Sequence, residues 1–202
     1  MLPPGGALVV SERLTSIVWG RYYLMVRSPY YRSAYLNTPS TAVKYLAAGT
    51  GRAVTLMGSI LTFKDEPGDN GDALMMFEHR CPPGDGVPPH SEHNHEAFYG
   101  LDGVLEVEAD GQCYRIMPGA FLGIPSGVVH SLHNPGPGWS RVLTLVSPGS
   151  QHARFFSTLG QSIEDPAHPP QPGEPLAFER VQEVAGSCGI DFLPASHPES
   201  DA

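Results

Sequence analysis

From Val43 onward the chain reads as short apolar runs separated by turn residues. "VKYLAA", "RAVTLMGSIL" and "DALMMFEHR" come first, each bounded by Gly, Pro, Asp or Asn. "AFYGL", "GVLEVEA", "QCYRI", "GAFLGI", "VVHSLHN" and "RVLTLV" follow, with "LDGV" and "ADGQ" as turns between them. Strands at this spacing predict an antiparallel sandwich or barrel. After "VSPGS" the period changes. "QHARFFSTLG" spaces Ala153, Phe156 and Leu159 three apart, with Ser150 placed to cap a short helix and Gly160 to end it. "LAFERVQEVAGSCG" predicts a second amphipathic helix stopped at Gly186 or Gly189, beyond a proline-rich stretch that holds no regular element. Residues 1 to about 40, with "GRYYLMVRSPYYRSAYLNTPST", have weak periodicity and predict an arm or short edge strands laid over the barrel.

Composition agrees with an all-β chain. Among 202 residues, 23 Gly and 21 Pro interrupt regular structure often, and 41% hydrophobic side chains suffice for one sizeable core. The expected organisation is an arm over 1–42, a barrel over 43–150, and short helices with a frayed tail over 151–202. Twelve basic residues against 21 acidic ones, a net charge of −9, leave no cationic footprint for nucleic acid. No apolar run is long enough to cross a bilayer, and "MLPPGGALVVSERLTS" lacks the layout of a secretory signal. Cys81, Cys113 and Cys188 are widely spaced and form no CxxC pair, which argues against a disulfide framework and a zinc ribbon. A cytoplasmic protein is expected.

The chemistry concentrates in "HSEHNHE", where His90 to Glu96 place three histidines and two glutamates in seven positions. Strand side chains alternate faces, so inward ligands on one strand stand at i and i+2, a spacing that His90 and Glu92 meet. Glu96 opens the next run, and "IPSGVVHSLHN" offers His130 from a distant strand. His93 and His95 fall on the opposite face and would enter such a site only through a bulge. His79, His133, His152, His168 and His197 are read as surface or satisfied core residues. Met75, Met76, Phe98, Tyr99 and Phe121 are expected to pack the barrel, inward members lining its mouth.

Two spacings carry a resemblance. Gly119, Pro125, Gly127, His130 and Asn134 match, position by position, the second motif of the cupin family. Gly84, His90, Glu96 and Gly103 fill four of the five fixed places of its first motif, and Glu92 stands where that motif has a second histidine. Within the cupins the chain most resembles the amino-terminal barrel of fungal quercetin 2,3-dioxygenases. That likeness rests on "TLMGS", "PPHSEHNHEAFYG", the second motif and "VSPGSQHARFFSTLG", across roughly residues 43 to 160. Those enzymes have two barrels and enter the secretory route, whereas one barrel and no signal are read here.

The resemblance implies a single jelly-roll cupin barrel. It implies a divalent transition metal (Fe, Mn, Ni, Co or Zn) held by His90, Glu96 and His130, with Glu92 as a further ligand or a base. It implies a homodimer as well. Two histidines with one carboxylate and open positions is an arrangement used by non-haem iron oxygenases. Three functions stay open on these residues. One is an oxygenase, quercetinase-like and of secondary metabolism, acting on an aromatic phenolic or enolic small molecule. Another is an isomerase, cyclase or dehydratase using Glu92 and Glu96 as acid and base. The third is a non-enzymatic small-molecule binder.

Overall fold

Among the described residues of 38–202, twelve strands pair into two antiparallel sheets, and the turns between them show why the chain folds back where it does. The computed structural model describes residues 9–11, 14–19, 22–26, 42–167 and 176–193. In chain order the strands are β4 (Ala53–Leu56), β5 (Ser59–Asp65), β6 (Met75–Cys81), β7 (Gly86–Glu92), β8 (His95–Asp102) and β9 (Leu105–Ala109). They continue with β10 (Gln112–Ile116), β11 (Phe121–Ile124), β12 (His130–His133), β13 (Ser140–Ser147), β14 (Gln161–Ile163) and β15 (Ile190–Phe192). One sheet has the order β10-β9-β12-β7-β15 and the other β11-β8-β13-β6-β5-β4-β14. The β4–β5 hairpin turns on Met57 and Gly58 at φ 48° and 81°, and β9–β10 on Asp110 and Gly111 at 51° and 70°. Positive φ at both central residues suits the right-handed twist of the strands they join.

Strict alternation sets the inner face. Along β6, Met75, Phe77, His79 and Cys81 are buried, and along β13, Ser140, Val142, Thr144 and Val146 are buried. Three helices accompany them among the described residues: the single turn α1 (Pro67–Asn70), α2 (Ser150–Leu159) and α3 (Phe178–Ser187). Phe156 of α2 packs on Phe77 and Phe63 with ring centroids 5.2 and 6.0 Å away. Aromatic pairs of this kind add about 0.5–1.5 kcal/mol each beyond area burial. One apolar cluster joins α2 and α3 to β4, β5, β6 and β15. A second holds Phe98, Leu105, Val107, Ile116, Ile124, Leu132 and Val142. Among the described residues no helix is long and apolar enough to cross a membrane.

Several expectations change. "VKYLAA" forms no strand among the described residues, and residues 42–50 lie exposed. Ser150 is the first residue of α2, not its cap: Asp72 Oδ1 accepts the backbone N–H groups of Gly149 and Ser150 at 2.9 and 2.7 Å. Tyr99 and Phe121 pair across β8 and β11 on the outer face, 42% and 67% exposed, whereas Met75 and Phe98 are buried as expected. Residues 1–37 form a unit of their own, in which β1 (Val9–Ser11), β2 (Leu14–Trp19) and β3 (Tyr22–Val26) make an antiparallel meander. Much of the Tyr-rich stretch, His168, His197 and the tail lie outside the described residues. All three cysteines are free, with Cys81 and Cys188 buried.

Candidate metal centre

The His-rich turn becomes β7 and the start of β8, and the two strands belong to different sheets. His90 and Glu92 share the inner face of β7. His130 on β12 stands directly opposite His90, with ring centroids 4.3 Å apart. Glu96 reaches the same point from β8 in the seven-stranded sheet. One ligand-type atom from each of His90, Glu92, Glu96 and His130 lies within 4.8 Å of the others, and all four residues are buried. The structure thus brings together the four residues that sequence spacing selected. His93 and His95 point outward and are exposed, so no bulge carries either one in.

The backbone fixes how the imidazoles face. His90 Nδ1 lies 2.9 Å from the carbonyl of Pro88, and His130 Nδ1 lies 3.0 Å from the carbonyl of Val128. A carbonyl only accepts, so Nδ1 carries a proton in both rings and Nε2 is turned toward the centre. This outer support is what metal-ligating histidines have. The motif residues around them act on the backbone. Gly127 N–H donates to the carbonyl of Glu92 at 2.8 Å, while the Asn134 amide donates to the carbonyls of Cys81 and Gly138 at 2.8 and 2.9 Å. Gly86 is required for close approach, since a Cβ there would lie 1.9 Å from the Leu132 carbonyl oxygen.

The carboxylates differ in kind. Burial pushes Glu96 above the usual carboxylate range, and the neighbouring charge of Glu92 adds to this. Burial also acts upward on Glu92, but His152, His90 and His130 outweigh it and hold the carboxyl below its ordinary value. Burial acts downward on His130, yet its 3.1 Å contact with Glu96 prevails and holds the imidazole above its ordinary value. His90, desolvated and beside His130, is pulled down to about 4. Neither oxygen of Glu92 has a hydrogen-bond partner, although the residue is only 2% exposed. An orphaned buried carboxylate costs several kcal/mol unless a cation compensates it. Metal–ligand bonds of about 2.0–2.2 Å set opposed donors about 4 Å apart, so the four donors, within 4.8 Å of one another, fit a divalent ion once the widest separation closes by somewhat under about 1 Å.

A cavity of about 90 Å³ adjoins the cluster, walled by Phe77, Phe98, Phe155, Phe156, Leu132 and Ile190, with His90, Glu96 and His152 on its surface. Ser59 and His79 add a second polar spot, with His79 Nε2 2.9 Å from Ser59 Oγ. His79 pairs with Val142 across the sheet, whereas Glu96 pairs with Val146. Four residues of strand separate the two levels, about 13 Å. Burial pulls the His79 imidazole down to about 4, so it is neutral there at pH 7. His152, read from sequence as surface or satisfied core, is instead 5% exposed and has its Nε2 3.4 Å from Glu92 Oε2. Its signal was helical: His152 shares a face with Phe155, Phe156 and Leu159.

Residues 77–146 match the Cupin domain family. The barrel has the cupin fold. The chain is 28% identical over 168 residues to the quercetin 2,3-dioxygenase of Bacillus subtilis (strain 168), a match covering 82% of this chain and 49% of that one. The chain thus spans about half the length of that curated relative. Among solved structures, the cupin is similar to the polyketide cyclase RemF from Streptomyces resistomycificus, at 18% identity over 53% of this chain and 80% of that one (TM-score 0.49). It is also similar to KdgF from Halomonas sp., at 22% identity over 54% of this chain and 94% of that one (TM-score 0.46).

Proposed function

We propose that this cupin is a metal-dependent oxygenase acting on a planar phenolic or enolic small molecule. The observation that carries the reading is the orphaned, buried Glu92 carboxylate among His90, Glu96 and His130, beside an aromatic-walled cavity. The likeness to a quercetin 2,3-dioxygenase supports the same class of chemistry. His90, Glu96 and His130 would hold the ion, with Glu92 as a fourth ligand or a base. A divalent transition metal bound there supplies Lewis acidity toward a substrate oxygen and redox access to dioxygen.

The chain's own groups do the rest. The phenylalanine walls bind and orient a flat ring, and they exclude water from the polar end. Glu92 or Glu96 takes the phenol or enol proton as a positioned carboxylate base. Ser59 and His79 can hydrogen-bond a second polar group of the substrate, about 13 Å from Glu96 along the strand direction and two strands across. A homodimer belongs to the same reading by family resemblance, and sedimentation equilibrium decides it.

The test is oxygen uptake by protein loaded separately with iron, manganese, nickel or cobalt, with flavonol-like compounds as substrates. Substrate-dependent oxygen consumption is expected with at least one metal, and Glu96→Gln should lower kcat by about 10²–10⁴-fold. No oxygen uptake with any loaded form defeats the reading. A second reading is favoured by one observation, the opposite displacement of the two carboxyl groups, which suits an acid and a base in an isomerase, cyclase or dehydratase. Turnover that survives exhaustive chelation without oxygen selects it.

A further inference from the structure

The first cupin motif has a histidine where this chain has Glu92, yet the site does not lack a third imidazole. His152 brings one from α2, outside both motifs, and sets its Nε2 3.4 Å from Glu92 Oε2. The approach is built rather than incidental. The turn into α2 is clamped by Asp72, which accepts the N–H groups of Gly149 and Ser150 at 2.9 and 2.7 Å, and by the Asn94 amide, which donates to the Pro148 carbonyl. The turn also lies against β6 so closely that a Cβ on Gly149 would meet the Met75 nitrogen at 2.6 Å. Phe156, one helical turn on, packs edge-on to the imidazole at 5.8 Å.

The ring's other nitrogen identifies its tautomer. His152 Nδ1 is buried with no partner. A buried N–H without an acceptor is the costlier orphan, whereas an idle lone pair on a weak acceptor costs less. The proton therefore belongs on Nε2, facing the carboxylate. At 3.4 Å the contact is longer than a formed N–H···O bond of about 2.9 Å, and a small rotation of either side chain closes it.

We propose that His152 is the positioning residue for Glu92: its Nε2–H holds Oε2, the oxygen that also lies 3.6 Å from His90 Nε2, and so fixes the carboxylate against the His90/Glu96/His130 centre. Toward the metal, this rests on the proposed function. The histidine-to-glutamate exchange thus retains an imidazole in the site, moved one layer outward behind a carboxylate.

Two measurements test it. In metal-free protein with labelled histidines, two-bond ¹H–¹⁵N correlation should show the Nε2–H tautomer for His152, with an Nε2 resonance that moves on Glu92→Gln. The Nδ1–H tautomer, or a resonance indifferent to Glu92→Gln, overturns the proposal. Titration calorimetry with manganese(II) alone then compares wild type, His152→Ala and His152→Gln, with thermal melts to establish folding. His152→Ala should weaken binding by about 10–100-fold, as loss of outer support does. His152→Gln, whose amide N–H can reach the same oxygen, should restore most of it. Wild-type affinity in His152→Ala overturns the proposal. A wild type that binds no manganese counts against the proposed function instead, and the resonance measurement still decides the contact between His152 and Glu92.

Discussion

Glu92 and Glu96 stand four residues apart in sequence and meet in the same centre with opposite proton affinities. The difference comes from their neighbours: Glu92 has imidazoles around it, while burial dominates at Glu96 and the charge of Glu92 reinforces it. His79 gives a cleaner residue-scale prediction because it lies away from this cluster, facing Ser59. Its folded pKa, about 4, is below the unfolded value near 6.5, so between these values the unfolded chain binds a proton that the folded chain does not. Its contribution is complete above pH 6.5 and is lost as pH falls through the window. Linkage sets the loss at about 2 kcal/mol between pH 7 and pH 5. His79→Gln keeps a donor toward Ser59 and does not titrate, so urea unfolding of that variant should show a pH 7 to pH 5 decline smaller by about that amount. An unchanged decline would contradict a neutral buried His79.

At the scale of elements, the site depends on how β7 and α2 are seated. Gly86 brings β7 against β12 with no room for a side chain, so Gly86→Ala should cost about 1–3 kcal/mol in denaturant unfolding and displace the His90 to Glu92 segment. Asp72 caps α2 from a distance in sequence and itself adopts φ 68°. Asp72→Ala should lose about 1–2 kcal/mol, whereas Asp72→Asn, which keeps the acceptor and tolerates the left-handed conformation, should stay near wild type in the same assay. Such particulars mark where sequence reading reaches. Apolar runs and turn pairs such as Asp110-Gly111 are local signals, and they located β6 and β8 to β13, whereas the single run "RAVTLMGSIL" folds back at Met57-Gly58 into β4 and β5. β15 is three residues long and exists because β7 offers it an edge, a fact no window around Ile190 contains. "VKYLAA" has the look of a strand but lies exposed and forms none among the described residues. Asp72 and Gly149 meet only in the folded chain, so the cap of α2 was assigned to Ser150.

At the scale of the molecule, the centre is where the two sheets meet: β7 and β12 of one supply His90, Glu92 and His130, and β8 of the other supplies Glu96. These four were legible because inward positions on a strand repeat every two residues and because two motif spacings converge on them. His152 was not, because its approach depends on how α2 lies across the barrel end, and a histidine amid phenylalanines reads as packing. The same geometry makes the metal the central claim, since four buried donors, two of them carboxylates, are costly to assemble without a cation. Elemental analysis of purified, untagged protein, wild type beside His130→Ala, tests this most directly after incubation with iron, manganese, nickel, cobalt or zinc and removal of excess. Near one equivalent of metal per chain, retained by wild type and lost in a folded His130→Ala, is the expected result. A wild type that retains no metal under any of these conditions would contradict the account.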